Sequence, residues 1–371
     1  MSQDHKAELS ETNERTALAG KPGRKPRRRS RLAHSQLVIF LNFCMSLAFF
    51  GVLALGFVFY FGKGEFENEG PLRDETNFVV ARNSSLNAIA EGLEERGVIS
   101  NAQIFKLGAK FSNVGNQLKA GEYAFDAGIS MRDVMEKIAR GDSVQHAITI
   151  PEGWTVQRAF ERIANSEILT GSMPSLPPEG MLQAETHMVQ RGMTREQLVQ
   201  AMHDSQEQMI EEIWEGRDEG LPIEDIGQFV TLASIVERET GVASERPHVA
   251  SVFVNRLRKG MRLQSDPTFL YGIYGGAGKP SEAPITRSDI DSDTPYNTYR
   301  IKGLPPGPIA IPGRKALEAV AHPLDTNDYY FVADGTGGHV FSETLDEHNR
   351  NVQKYRAIER ERRADAEQAS Q

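Results

Sequence analysis

The apolar run from Leu37 to Phe61 constrains this chain before anything else in it does. It holds 25 residues and no charge, and Asn42 and Ser46 are its polar breaks. As a helix it would be about 37 Å long, more than the ~30 Å hydrocarbon core of a bilayer. Basic residues precede it: Arg24, Lys25, Arg27, Arg28, Arg29 and Arg31. Such a flank stays on the cytoplasmic side, so everything after Phe61 is expected on the other side. The run is too long for the core of a signal peptide, and no clear Ala-x-Ala pattern follows it. An uncleaved single-pass anchor is therefore predicted.

Charge divides along the same line. Residues 1–36 carry nine Lys and Arg against four Asp and Glu, a net +5, and the whole chain of 371 residues carries −9, leaving −14 on the rest. An exported part this acidic disfavours nucleic acid as a partner. The basic stretch suits anionic membrane lipid. Charged residues make up 25% and hydrophobic ones 39%, ordinary for a folded protein, so disorder throughout is not expected. The single cysteine, Cys44, lies inside the apolar run, which excludes an internal disulfide and a cysteine-based zinc site.

Six segments are expected: a basic disordered tail over 1–36, a transmembrane helix over 37–61, an acidic linker over 62–76, a small α/β unit over 77–150, a larger mainly helical domain over 151–355 and a charged tail over 356–371. In the small unit, Phe78–Ala81 and Gly121–Phe125 suit strands. Ser84 or Ser85 can cap a helix through Leu86, Ile89 and Leu93 that Gly97 stops. Ser130 and Asp133 form a capping box for a helix that ends at Gly141. Strand–helix followed by strand–helix hints at a divergent internal duplication. His146–Ile150 reads as a strand, and a new helix begins near Thr155. Thr194 and Gln197 open a long amphipathic helix. His248 to Leu257 reads as another helix. Residues 264–313 are rich in Gly, Pro, Asp, Ser, Thr and Tyr, a composition that marks a functional loop region when it runs this long. Tyr329–Ala333 and His339–Phe341 suggest a hairpin.

Glu237 stands out within the larger domain. Ile226, Phe229, Val230, Ala233, Val236 and Thr240 recur at helical spacing and form one apolar face. At ~100° per residue, Glu237 falls about 20° from Ile226, in the middle of that face. Glu239 points roughly the other way, toward water. A carboxyl on a core-facing stripe must be paired or protonated. Two readings stay open at this point. Either Glu237 sits in an internal salt bridge, with Arg256 or Arg262 as partner, or it is a general acid held neutral by apolar neighbours.

The exported region has no nucleophile elbow, no His-Glu-x-x-His and no P-loop. His322, His339 and His348 lack the spacing of a zinc motif, so no metal and no cofactor are expected. Carboxylate chemistry beside an aromatic and polar groove remains. Cleaving a glycosidic bond needs an acid to protonate the departing oxygen. Gln264-Ser-Asp-Pro-Thr268 and Tyr296-Asn-Thr-Tyr299 supply sugar-binding residue types soon after Glu237. Tyr271 and Tyr274 could add rings or simply be half-buried core residues. Glu152 in Pro151-Glu-Gly-Trp154 could serve as a cap or turn residue.

Seven stretches together resemble the endolytic murein transglycosylases of the MltG/YceG type: Pro151–Thr155, Leu232–Thr240, Val249–Leu257, Gly260–Thr268, Pro295–Tyr299, Gly303–Pro308 and Tyr330–Gly335 with His339–Phe341. They cover nearly all of the chain from the anchor to about residue 355. The resemblance implies an α+β protein: one N-terminal transmembrane helix, a LysM-like subdomain, and a lysozyme-like, mainly helical catalytic domain with a β-hairpin region. It implies a lyase of the inner membrane, N-terminus cytoplasmic and catalytic domain periplasmic. That lyase cleaves the MurNAc–GlcNAc bond within peptidoglycan glycan strands and leaves 1,6-anhydro-MurNAc ends. It further implies work alongside peptidoglycan synthases, terminating nascent strands. The family's catalytic glutamate falls on Glu237. Gln264, Ser265, Asp266, Thr268, Asn297 and Tyr299 are assigned to substrate binding. Two places depart from the family pattern. Ala184-Glu-Thr-His187 stands where a Pro-x-Thr-Tyr segment is usual, and Ile311 stands where a polar residue is usual. The alternatives are a non-enzymatic cell-wall-binding scaffold, in which residues 77–150 hold glycan and Glu237 is structural, and a metal-dependent hydrolase.

Overall fold

The computed structural model describes residues 36–280 and 283–369. The basic tail expected over 1–36 lies outside the described residues but for Gln36. The chain divides into two compact units, Met1–Gly64 and Glu65–Gln371. Helix α1 (Gln36–Glu67), all but its last three residues in the first unit, begins one residue before the expected span and runs six residues into the expected linker. Val38–Glu67 is long and apolar enough to cross a membrane, and its apolar window has no buried share.

The second unit opens with β1 (Thr76–Val80), α2 (Leu86–Glu95), α3 (Ala102–Phe111), β2 (Gly121–Phe125) and α4 (Met131–Arg140). Ser85 caps α2 by accepting from the Ala88 amide, Ser130 caps α4, and Gly141 ends α4 at φ 82°. That positive φ is one that glycine adopts without a Cβ penalty. β1 and β2 pair antiparallel, with Phe78 opposite Tyr123. Two helices therefore lie between the paired strands, which corrects the duplicated strand–helix reading. α3, capped by Asn101, is the element that reading missed. Tyr123, Phe125, Phe105 and Leu93 fill the core of this part.

β3 (Gln145–Thr149) follows, then α5 (Val156–Ala164), β4 (Thr186–Gln190), α6 (Arg195–Glu215), α7 (Ile226–Glu239) and α8 (Arg246–Arg258). β3 pairs antiparallel with β4. The strand just before residue 150 is thus completed by chain that comes after it. Thr194 and Gln197 make the full capping box expected for α6. Glu122 of β2 ties the two strand pairs together. It accepts from Arg191 Nε at 2.6 Å and lies 2.9 Å from His146 Nε2. Arg191 foremost holds its carboxyl below the usual range.

The chain closes with α9 (Asp266–Tyr274), α10 (Arg287–Ile290), α11 (Arg314–Ala321), the antiparallel hairpin β5 (Tyr330–Ala333) and β6 (His339–Ser342), and α12 (Leu345–Ala369). The hairpin stands where the strand signals place it. α7 is the hub: α6, α8, α9 and α11 all pack against it. Every residue from Phe229 to Val236 is buried. A helix apolar all round belongs at the centre of a core rather than on its rim.

Gln206 of α6 is fully buried and donates from Nε2 to Gly180 O at 3.1 Å and Pro312 O at 3.2 Å. It fixes two loops at once. Gln206→Leu leaves both carbonyls without this donor, and it should lower unfolding stability by about 1–3 kcal/mol. Urea unfolding of the two proteins reads this as a lower midpoint at unchanged slope.

Candidate active site

α7 places its polar side chains on successive turns toward one loop. Ser234 Oγ donates to Thr231 O and accepts the Ile309 amide at 3.0 Å. Three residues on, Glu237 Oε2 accepts the Gly313 amide at 3.1 Å. Residues at i and i+3 share a helix face, so the pair holds both ends of the 309–313 segment. That segment in turn clamps the Pro151–Thr155 turn. Gly153 N donates to Ile311 O at 2.9 Å and Ile311 N to Trp154 O at 2.7 Å. Arg238 Nη1 donates to Gly153 O at 3.2 Å. Gly153 sits at φ +74°.

Glu237 is nearly covered, with 5% of its side chain exposed. Its other oxygen, Oε1, accepts from Arg246 Nη2 at 2.9 Å. The partner is therefore Arg246, the first residue of α8. Arg256 instead donates to the carbonyls of Tyr329 and Leu263, and Arg262 is exposed. Glu152 Oε2 lies 3.8 Å from the same Arg246 nitrogen. Burial pushes the Glu152 carboxyl upward, the Glu237 charge adds to that, and Arg246 opposes it. Gly313 makes this approach possible. A Cβ there would lie 1.8 Å from Glu152 Oε1.

A groove of about 480 Å³ opens beside these residues, lined in part by Gly153, Thr155, Arg158, Arg238, Pro267 and Tyr271. Gly153 separates it from Glu237, since a Cβ on Gly153 would lie 3.8 Å from Glu237 Cγ. Glu179 braces the wall. It accepts the Val156 amide at 2.7 Å and the Tyr271 hydroxyl at 3.2 Å. Tyr271 and Tyr296 pack with ring centroids 5.0 Å apart. Tyr271 thus acts as a groove residue, and Glu179 is a wall residue that no motif in the sequence marks.

The structure brings the two sequence-selected segments, 264–268 and 296–299, into one knot. Ser265 N donates to Thr298 Oγ1, Thr268 Oγ1 donates to Ser265 O, and Tyr299 Oη donates to Asp266 Oδ1 at 2.6 Å. Asn297 spends its amide on Ile290 O and Ser292 O. Ser265, Thr268 and Asn297 are buried, with Thr268 and Asn297 at 0% exposure. Their polar groups are occupied in shaping the loop. Gln264, at φ 52°, and Asp266 are exposed, and Tyr299 is half-buried. Pro267 and Leu270, from the same helix start, face the groove.

Glu239 does not point to water. It accepts from Ser265 Oγ, which ties α7 to the knot. Its carboxyl is pushed up to about 7, mainly by burial, against the Ser265 hydrogen bond and with help from the Asp266 charge. For metal, His203, Asp204 and Glu207 bring ligand atoms within 4.8 Å of one another on an outward turn of α6, where nothing further marks a site.

The YceG-like family model matches residues 78–354. The chain belongs to the YceG-like family. The endolytic murein transglycosylase of Bacillus subtilis (strain 168) is 30% identical over 336 residues, covering 82% of this chain and 91% of the relative. That of Streptococcus pneumoniae serotype 2 (strain D39) is 27% identical over 320 residues, 74% of this chain and 57% of the relative. A yceG-like protein from Listeria monocytogenes, solved by crystallography, aligns with a TM-score of 0.48 at 29% identity, covering 75% of this chain and 98% of that one.

Within this YceG-like chain, Glu152 and Arg246 are the site residues that sequence reading missed. A carboxylate in the Pro151–Thr155 motif was one signal for Glu152; nothing in local spacing marks Arg246, nine positions beyond Glu237.

Glu239 generates a pH test. Its folded value of about 7 lies above the ordinary 4.5. Its contribution to stability is therefore full below 4.5 and is lost as pH rises through about 7. Stability of the parent chain should fall between pH 4.5 and 8 by a component that Glu239→Gln lacks. Chemical denaturation at pH 5 and pH 8 checks this, and the pH difference should be smaller in the variant.

Proposed function

We propose that this YceG-like chain is a membrane-anchored endolytic murein transglycosylase with Glu237 as its acid and base. The carrying observation is Glu237 itself. It is a nearly covered carboxyl held by the Gly313 amide and Arg246, one glycine away from an open groove. The names of the Bacillus and Streptococcus relatives support murein as the substrate.

The reaction cleaves glycan strands of peptidoglycan at the MurNAc–GlcNAc bond. Glu237 gives its proton to the glycosidic oxygen as the C1–O bond breaks. The sugar's N-acetyl group stabilises the electron-poor C1, so a second, nucleophilic carboxylate is not required. The C6 hydroxyl oxygen then bonds to C1 and its proton passes to the Glu237 carboxylate. No water is consumed, the enzyme is restored, and the product is a 1,6-anhydro-MurNAc end. Between the two steps the carboxylate is held by the Gly313 amide and the Arg246 guanidinium.

The same reading gives α1 as a single-pass anchor in the inner membrane, with the N-terminus cytoplasmic and the catalytic domain periplasmic. The basic flank Arg24–Arg31 supports that orientation. The paired β1 and β2 with α2 and α3 between them support a LysM-like subdomain over 77–150 that holds glycan, followed by the catalytic domain over 151–355. Glycan strands and membrane lipid are the partners. Termination of strands made by peptidoglycan synthases follows from the product.

Glu237→Gln keeps the size and holds no transferable proton, but its NH2 replaces one of the two acceptor oxygens and faces the Arg246 or the Gly313 donor. It should still fold, with a lower melting temperature than the parent, and lose at least ~10²-fold in release of anhydro-muropeptides from purified murein. Mass spectrometry of the digest measures this. Parental product levels from a folded Glu237→Gln protein would refute the assignment.

A further inference from the structure

Arg246 is the unexplained charge in this site. Its side chain is 9% exposed, and its Nε is buried without a hydrogen-bond partner among the described residues. A cation so poorly hydrated needs an anion beside it. The structure offers it two. Nη2 lies 2.9 Å from Glu237 Oε1 and 3.8 Å from Glu152 Oε2. If Glu237 is to hold a proton and donate it, Glu237 cannot at that moment neutralise Arg246. Some other group must.

We propose that Glu152 is a positioning carboxylate, which neutralises Arg246 while Glu237 carries the proton and yields Arg246 to Glu237 once that proton has been given away. This rests on the Glu237 reading. The distances fit the second half of the exchange, with Arg246 turned toward Glu237. The short step between 2.9 and 3.8 Å at one nitrogen allows the guanidinium to serve either partner by a small rotation. The backbone preserves the arrangement. Glu152 follows directly on Pro151 and precedes Gly153, whose amide is bonded to Ile311 O. Gly313 has no side chain to displace the Glu152 carboxyl. Glu152 is also the more open of the two acids, with 40% of its side chain exposed against 5% for Glu237. Arg246 opposes the upward push that burial gives the Glu152 carboxyl, so the charge it holds beside the guanidinium depends on that contact.

Charge is conserved through the cycle. With Glu152 ionised, Glu237 protonated and Arg246 positive, the trio is neutral. Donation to the leaving oxygen leaves Glu237 negative, and Arg246 moves to it. Return of the C6 hydroxyl proton restores the start. The charged groups facing Glu152 are Glu237 and Glu185, which oppose its ionisation, and Arg246 and Lys315, which favour it.

The test uses the full chain in lipid nanodiscs, with purified murein and release of anhydro-muropeptides followed from pH 4.5 to 9. Three variants are compared: Glu152→Gln, Glu152→Asp and Glu237→Gln. In Glu152→Gln, Glu237 is the carboxylate left beside Arg246 among the described residues, and Arg246 favours its ionised form. The alkaline limb of the activity curve should then move about one unit toward lower pH. The rate at pH 7.5 should fall about tenfold. Glu152→Asp keeps the charge one methylene further back and should give a limb between the two. A purely structural role would lower the rate at every pH and leave the limb in place. An unmoved alkaline limb in both Glu152 variants overturns the proposal, whatever their rates. Glu152→Asp keeps it testable if Glu152→Gln does not fold. Product from Glu237→Gln at the parental level would instead overturn the Glu237 reading, so the two failures are distinguishable.

Discussion

The hydration that Arg246 has lost organises the site. Moving a guanidinium out of water costs several kcal/mol unless close anions replace the lost solvent. Arg246 opens α8, Glu237 lies in the last turn of α7, and Glu152 arrives on the turn before α5. Three separate stretches of chain are thus held together by one charge. The 309–313 segment is the fourth, since the amide of Gly313 meets the oxygen of Glu237 that Arg246 leaves free. Removing either carboxylate changes what the other must do, which is why the site behaves as a unit rather than as one acid with surroundings.

Glu237 and Glu239 illustrate how environment divides the work of identical side chains. They lie two residues apart on one helix and point to different sides of it. On a half-exposed helix one of them would be wet. The middle of α7 is enclosed, and at its end the exposed side chain is Arg238, between the two acids, so neither of them is. Glu237 meets a cation and an amide beside the groove. Glu239 meets a serine hydroxyl and a neighbouring aspartate charge, and serves to fasten the loop after α8. Two carboxylates whose surroundings differ this much take different roles even within one turn of helix.

Much of the frame is legible in the sequence because it is written in local rules. Capping at Ser85, Ser130 and Thr194, the stop at Gly141 and the hairpin strands all depend on residues within a few positions of one another. The features that were not legible are those decided at a distance. β4 is a strand because β3 is there to pair with it. α7 is buried on its outer side because α8, α9 and α11 close over it, a fact that no single helix pattern contains. The same holds for chemistry. The apolar face identified Glu237 as a misplaced carboxyl, yet its partner is Arg246 rather than Arg256 or Arg262. The residue types that suit sugars, Ser265, Thr268 and Asn297, are also those that suit tight polar loops. Here all three are buried in such a loop, and sequence alone does not give burial.

Ile311 shows how a departure from the family pattern can leave the site intact. Its side chain is fully buried among Ile148, Ile150, Val156 and their neighbours, so an apolar residue is what that space requires. Its backbone carries the functional load. The amide reaches Trp154 O and the carbonyl receives Gly153 N, which sets the Pro151–Thr155 turn against α7. Because backbone groups are common to every residue other than proline, the position can change its side chain while its contacts to the turn persist. The side chain bears instead on where Gly313, two residues later, comes to rest beside Glu237. Apolar burial at 311 therefore supports the site indirectly: it anchors the loop from beneath, and the loop presents the amide.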